Sequence, residues 1–172
     1  MSGSKSDIDA KLATMVASGY TNIPQGLVWG WRVLSPEAPF TDGRPYVTAG
    51  NRKIIVLMTD GANTYPDANN HNKSRYGAQG YGALGRLGTN YRSSGYVSEM
   101  NDKMLTVCAN AKAQGIKIYT VAFRLDADPA AKSLLESCAT EATTSFSAAD
   151  GTALISVFER IGAELSKLRV AG

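Results

Sequence analysis

Asp60 is the residue whose neighbours best equip it for chemistry. It follows the apolar run Ile54-Ile55-Val56-Leu57-Met58-Thr59 and precedes Gly61. A carboxylate at the end of such a strand lies where open α/β sheets bind their ligands. Its hard oxygens suit a divalent cation, and glycine permits a tight turn beside it. Asp-Gly after a strand is also an ordinary turn, so the pair alone does not define a site. Other reactive types add little. His71 is the only histidine, stands in a polar stretch and reads as solvated. The chain has no Gly-x-x-x-x-Gly-Lys-Ser/Thr phosphate loop, no Gly-x-Ser-x-Gly elbow and no Cys/His dyad. A Rossmann-like hydrolase or transferase built on Asp60 and an Arg or Lys of the following loop would need a nucleophile or base that the sequence does not visibly supply.

The two cysteines, Cys108 and Cys138, leave two readings open. As reduced thiols they would be small buried hydrophobes. As a disulfide they would close a loop of about 29 residues, a link valued at roughly 3 kcal/mol by the chain-entropy model. Such a bond would place the protein in an oxidising compartment. A zinc site is disfavoured, because there is one histidine and no second thiolate cluster.

The elements that must position these residues read as α/β. Lys53 to Thr59 and Ile116 to Phe123 are apolar without alternation, as in strands covered on both faces of a parallel sheet. Between them, residues 99–114 carry Met100, Met104, Val107, Cys108 and Ala111 at helical spacing, closed by Gly115. This is a βαβ unit. Upstream, residues 7–17 place Ile8, Leu12, Met15 and Val16 as a short amphipathic helix. A second helix starts near Thr21-Asn22-Ile23-Pro24, with capping residues and a first-turn proline, and carries the stripe Ile23, Leu27, Trp31 and Leu34. Trp29 lies at the margin of that stripe or at a contact, and core is the first reading for both tryptophans. Residues 35–51 hold Pro36, Pro39, Gly43, Pro45 and Gly50 and read as a loop. Downstream, Pro129 opens a short helix through Leu134, Leu135 and Cys138, and Thr144 to Ser147 is a weak third strand. Asp150 caps a last helix with Leu154, Val157, Phe158, Ile161, Leu165 and Leu168 on one face. Lys167 and Arg169 sit favourably near its C-terminal end.

Composition bounds the class. Hydrophobic residues at 44% and charged residues at 19% fit a globular domain and exclude wholesale disorder. A net charge of +3, scattered along the chain, gives no nucleic-acid footprint. No apolar run approaches the roughly 20 residues of a membrane helix. Residues 1–6 are polar and read as a leader, and residues 7–172 as one domain.

Residues 62–98 are the odd stretch: rich in Gly, Tyr and Asn, with no acid between Asp67 and Glu99. One reading is a long, partly disordered surface loop. The other is a contact surface for a partner or a glycan, carried by Tyr76, Tyr81, Arg86, Tyr91 and Arg92, since tyrosine brings large contact area at low entropy cost.

Two motifs bear a family resemblance. Thr21-Asn22-Ile23-Pro24-Gln25-Gly26-Leu27 resembles the Thr-Asn-Ile-x-x-Gly-Leu element of von Willebrand factor A (vWA) domains. Met58-Thr59-Asp60-Gly61 resembles their later metal motif. More narrowly, Gly26 to Pro36, Val107-Cys108, Ile118 to Val121, Leu134 to Ala139 and Ile161 to Arg169 look like the vWA region of TadG-like proteins of tight-adherence (Tad/Flp) pilus systems. The resemblance implies a Rossmann-like fold and a non-enzymatic, protein-binding role in adhesion or pilus assembly. Pilus or cell-envelope proteins would be the partners, in the periplasm or at the cell surface. It also implies a Cys108–Cys138 disulfide, and Thr21 and Asp60 as ligands of Mg²⁺ or another divalent cation. The pattern departs from the family at one point: the Asp-x-Ser-x-Ser motif that opens the metal-ion-dependent adhesion site does not occur. The first strands of the sheet are therefore expected to be missing, the metal site incomplete and the strand ending at Thr59 an exposed edge. Such an edge invites pairing with a second copy.

Overall fold

The computed structural model describes residues 3–88 and 93–170. Within them the chain runs α1 (Lys5–Ala13), α2 (Ile23–Leu34), β1 (Ile54–Thr59), α3 (Ser93–Ala113), β2 (Lys117–Phe123), α4 (Pro129–Cys138), β3 (Ser145–Ala148) and α5 (Gly151–Val170). The strands form one parallel sheet in the order β1-β2-β3, with Ile55 beside Ile118 and Thr120 beside Ser145. Both expected strands are present, and so is the weak third one.

Because side chains alternate along a strand, β2 feeds two cores. Ile118 and Ala122 point to one face, where Ile23 and Leu27 of α2, Met104, Cys108 and Ala111 of α3, and Ala131, Leu135 and Cys138 of α4 pack against them. Tyr119 and Val121 point to the other and meet Val157 and Ile161 of α5. The Tyr119 hydroxyl donates to Glu164 at 2.7 Å, tying α5 to the central strand. Burial, then that hydrogen bond, raises the Tyr119 pKa. This is a Rossmann-like α/β arrangement, three parallel strands between helical layers.

Local signals explain the helix boundaries. Asn22 caps α2 by accepting from the Gln25 N–H at 3.1 Å. Asp128 does the same for Ala131 at 2.9 Å and Asp150 for Ala153 at 2.8 Å, at the starts of α4 and α5. Gly115, at φ 76°, turns the chain out of α3. Lys53 is buried at the other end of α2, where its ammonium donates to the carbonyls of Leu34 and Arg44.

Cys108 and Cys138 form a disulfide, with Cα atoms 5.2 Å apart. It joins α3 to α4 inside the larger core, where both cysteines are buried. Of the two readings open to the sequence, the bonded one holds.

Three features differ from expectation. Helix α3 begins at Ser93, before the expected residue 99, and so takes in the end of the Gly/Tyr stretch. Its first turns are anchored by Tyr96 and Met100, which are fully buried; their packing outweighs the weak helix propensity of Ser-Ser-Gly. Helix α1 covers Lys5–Ala13 instead of 7–17 and buries no residue, with Ile8 and Leu12 about half exposed at 45% and 55%. Trp29 is not core: it is 41% exposed and packs edge-on against Phe40 at 5.9 Å, with Arg32 over its ring. Trp31 packs against the core and donates to the Tyr46 hydroxyl at 2.8 Å.

Among the described residues, strand β1 pairs on one side only, with β2. One of its faces, Ile55 and Leu57, lies against the α2–α3–α4 core. On the other, α5 reaches Ile54, while Val56 and Met58 stay 38% and 46% exposed. Among the described residues no helix is long and apolar enough to cross a membrane.

Candidate binding face at the carboxyl end of the sheet

Thr59 ends β1 and shapes the turn beyond it. Its hydroxyl donates to the Gly61 carbonyl at 2.8 Å and accepts from the Gly61 N–H at 3.3 Å, so the backbone folds out of the sheet at Asp60. Asp60 is exposed in that turn. Residues 63 and 64 are stitched to the start of α2. The Thr64 N–H donates to the Thr21 carbonyl at 2.9 Å, and the Thr21 N–H donates to the Thr64 hydroxyl at 2.7 Å. Asn63, 3% exposed, accepts from the Ile23 N–H at 2.8 Å and donates its amide to Asn101 Oδ1 of α3 at 2.8 Å.

These bonds hold Thr21 beside Thr64, four residues beyond Asp60 in the chain. Thr21 is half-buried and offers a hydroxyl; Asp60 offers a carboxylate. Both are hard oxygen donors of the kind Mg²⁺ takes. Among the described residues no group of three or more His, Cys, Asp or Glu side chains gathers to hold a metal. Two donors suit a cation that keeps most of its water and do not make a closed cage.

The Gly/Tyr stretch is folded over this rim of the sheet. Tyr65, Leu87, Tyr96 and Met100 form a small core of their own, with the Tyr65 and Tyr96 rings stacked at 4.1 Å. Ser74 is buried; it accepts from the Gly82 N–H at 2.7 Å and donates to the Arg75 carbonyl at 2.7 Å. Gly77 and Gly80 exchange both backbone hydrogen bonds, at 3.1 and 2.9 Å, closing a tight hairpin around Ala78 and Gln79. The tip is pinned to the start of α2, because the Asn22 amide donates to Gln79 Oε1 at 3.5 Å. A one-turn 3₁₀ helix, Gly82–Leu84, comes next in the chain. From Tyr65 to Gly88 the stretch forms a lobe with its own small core and hydrogen bonds.

The lobe sorts the expected contact residues. Tyr76 and Tyr81 flank the hairpin turn with rings 5.2 Å apart and nearly perpendicular, and they are 73% and 37% exposed. Arg86 is exposed and lies over the turn: a β-carbon at Gly80 would stand 3.2 Å from its Nη1. Tyr91 and Arg92 lie outside the described residues. His71 is exposed. Beneath the lobe, the Tyr96 hydroxyl is buried with no hydrogen-bond partner among the described residues. Burial, then the neighbouring Tyr65 and Asp67, raises its pKa. Gly82 is required there, because a β-carbon would fall 2.5 Å from that hydroxyl.

Sequence reasoning missed Asn63, Ser74 and Gln79, which hold this rim together. Polar residues in an Asn- and Gly-rich stretch carry no periodicity, so only their partners reveal them.

The fold and this rim define a Rossmann-like α/β domain with a structured lobe over the carboxyl end of its sheet. The sequence matches no protein-family profile and no curated protein. Its fold is similar to parts of two crystal structures of the pilus adhesin SpaC from Lactobacillus rhamnosus GG, one of them in an open conformation. The TM-scores are 0.57 and 0.56, each at 16% identity. The likeness covers 97% of this chain, which spans 21% and 22% of those chains, about a fifth of their length.

Proposed function

We propose that this chain is a vWA-like binding module of a bacterial surface-pilus system, acting by protein–protein contact at the carboxyl end of its sheet and not as an enzyme. The observation that carries the reading is the stitch of Thr21 to Thr64, which ties the first motif to the segment that follows the second. The pilus-adhesin neighbours support an adhesive role. The buried Cys108–Cys138 bond supports an oxidising setting, the periplasm or the cell surface. The narrower reading, a TadG-like part in a Tad/Flp pilus, rests on the sequence resemblance, and so do pilus or cell-envelope proteins as partners.

In this reading Thr21 and Asp60 are the chain's ligands for a divalent cation, with water completing its shell, so affinity is weak. Such a cation would bridge to an acidic group on the partner. The test is a Mg²⁺ titration followed by the amide resonances of Thr21, Asp60 and Gly61, beside capture of purified pilus and envelope proteins with and without chelator. The reading expects saturable shifts that Asp60→Ala removes, and capture that weakens with chelator. Unmoved resonances sink the cation role; absence of capture under every condition sinks the binding role.

A second reading keeps the binding role and dispenses with metal. The ordered, exposed Tyr76–Tyr81 pair favours it. Capture that survives chelator and Asp60→Ala but fails in Tyr76→Ala selects this scaffold. Among the described residues one edge of β1 has no strand beside it, and a second copy is the partner we propose for it, antiparallel across a two-fold axis.

A further inference from the structure

We infer that the Tyr76–Tyr81 hairpin and Arg86 form a preorganised platform for an acidic segment of a protein partner. The inference rests on the protein-binding reading above and names the chemistry of the partner.

Three observations carry it. First, the platform is held before any partner arrives. Its hairpin is closed by reciprocal backbone bonds between Gly77 and Gly80, its base by buried Ser74, and its tip by Asn22. A rigid, exposed aromatic pair loses little freedom on binding, which is the usual obstacle to affinity for a surface loop. Second, the Arg86 guanidinium is exposed and lies over the turn with no ion pair among the described residues. The sequence from Ala68 to Ser98 contains no Asp or Glu; the flanking acids are Asp67, whose backbone pairs with Ser74, and Glu99, whose carboxylate lies against Gly88. A carboxylate approaching this face meets a guanidinium fork that can bind it with two hydrogen bonds. Third, Tyr and Arg are the types enriched where protein contacts are strongest, and Gly, Ser and Asn supply the adaptable surround. Lobe and helix adjoin, since Asn22 both caps α2 and holds the hairpin tip. An acidic segment on the platform would therefore pass near Thr21.

The experiment uses the intact, oxidised chain and a fluorescein-labelled random copolymer of Glu and Tyr as the acidic probe. A Lys–Tyr copolymer serves as the opposite-charge control and oligogalacturonate as a carboxylated glycan. Fluorescence anisotropy is read at low and at physiological salt. The expected result is binding of the Glu–Tyr copolymer alone, weakened severalfold by added salt, because surface charges are screened beyond about 10 Å at 0.1 M. Tyr76→Ala and Tyr81→Ala each weaken it by about tenfold or more, and Arg86→Glu abolishes it. Arg86→Lys keeps the charge but loses the fork, so it retains only part of the affinity. Every position altered carries an exposed side chain, and an unchanged unfolding midpoint certifies each variant as folded.

Equal binding of the two copolymers, indifference to Arg86→Glu, binding of oligogalacturonate in place of the peptide, or no binding overturns the inference. Capture of pilus and envelope proteins by the same protein separates the two claims. If capture persists while the copolymer fails, the acidic-segment inference falls alone. If the copolymer binds as expected while capture fails, the platform stands and the pilus reading falls.

Discussion

Opening the Cys108–Cys138 bond should cost this fold a large part of its stability, and the size can be worked from where the bond lies. The two cysteines are 30 residues apart, and the closed loop contains all of β2 and α4. For a loop of that length, the chain-entropy relation gives roughly 3–4 kcal/mol at 25 °C. β2 is the central strand, feeding both cores, so losing the constraint frees the element on which the others pack. Urea unfolding, followed by tryptophan fluorescence and far-ultraviolet circular dichroism with and without reductant, measures the loss. With a slope of about 2 kcal/mol/M, the reduced protein should unfold at a midpoint about 1.5–2 M lower. The Cys108→Ala/Cys138→Ala double variant should fall at least as far, because it also leaves small voids at two fully buried positions. Intact mass after alkylation must first show the bond formed. A shift under about 0.5 M from a protein so certified would refute the reasoning, because the denatured chain would then be as restricted without the bond as with it.

Further outcomes rest on single residues. Asn63→Ala strips the Ile23 N–H and the Asn101 side-chain carbonyl of their buried partner and should cost about 2–3 kcal/mol in chemical denaturation, whereas an exposed neighbour such as Thr64→Ser should stay within about 0.5. Tyr96→Phe removes a buried hydroxyl with no partner among the described residues, so it should be neutral or stabilising. Gly82→Ala should destabilise by about 1–3 kcal/mol, and Tyr96→Phe should restore only part of it, because the new methyl would still stand 2.9 Å from the ring Cζ; full restoration in the double variant would count against this geometry. Ionising buried Tyr96 or Tyr119 is harder in the folded than in the unfolded chain, so the folded state holds those protons to higher pH. Stability from them is whole below the ordinary tyrosine value of about 10 and is lost as pH rises through the raised values. Melting temperature should therefore drop steeply on the alkaline side, and less steeply in Tyr119→Phe. At the open edge, sedimentation velocity should show concentration-dependent dimers that Val56→Lys or Met58→Lys disperses; a monomer at all concentrations would leave β1 a tolerated edge.

Legibility in the sequence tracked interaction range. The two long apolar runs, the crossover helix and the capping residues Asn22, Asp128 and Asp150 are local signals, and each marked an element the structure contains. The disulfide was readable only as one of two fates of a cysteine pair, because pairing depends on whether α3 and α4 meet. Trp29 misled because it shares a helix with Trp31, yet two residues turn an α-helix by about 200°, enough to carry its ring out of the core. The Gly/Tyr stretch was opaque for a different reason. Nothing in its periodicity announces that Tyr65 and Tyr96 stack or that Ser74 ties its base.

By itself, then, the sequence determined the α/β class, the parallel pairing implied by a helical crossover, and the presence of a carboxylate at the end of β1, because hydrophobic periodicity and capping act over a few residues. Only the tertiary structure decided that Thr21 is tied to Thr64, that α1 buries no residue while Val56 and Met58 stay exposed, and that the tip of the Tyr76–Tyr81 hairpin is tied to the start of α2. Those facts depend on contacts between residues tens of positions apart, and such contacts form only once the sheet and its helices have packed.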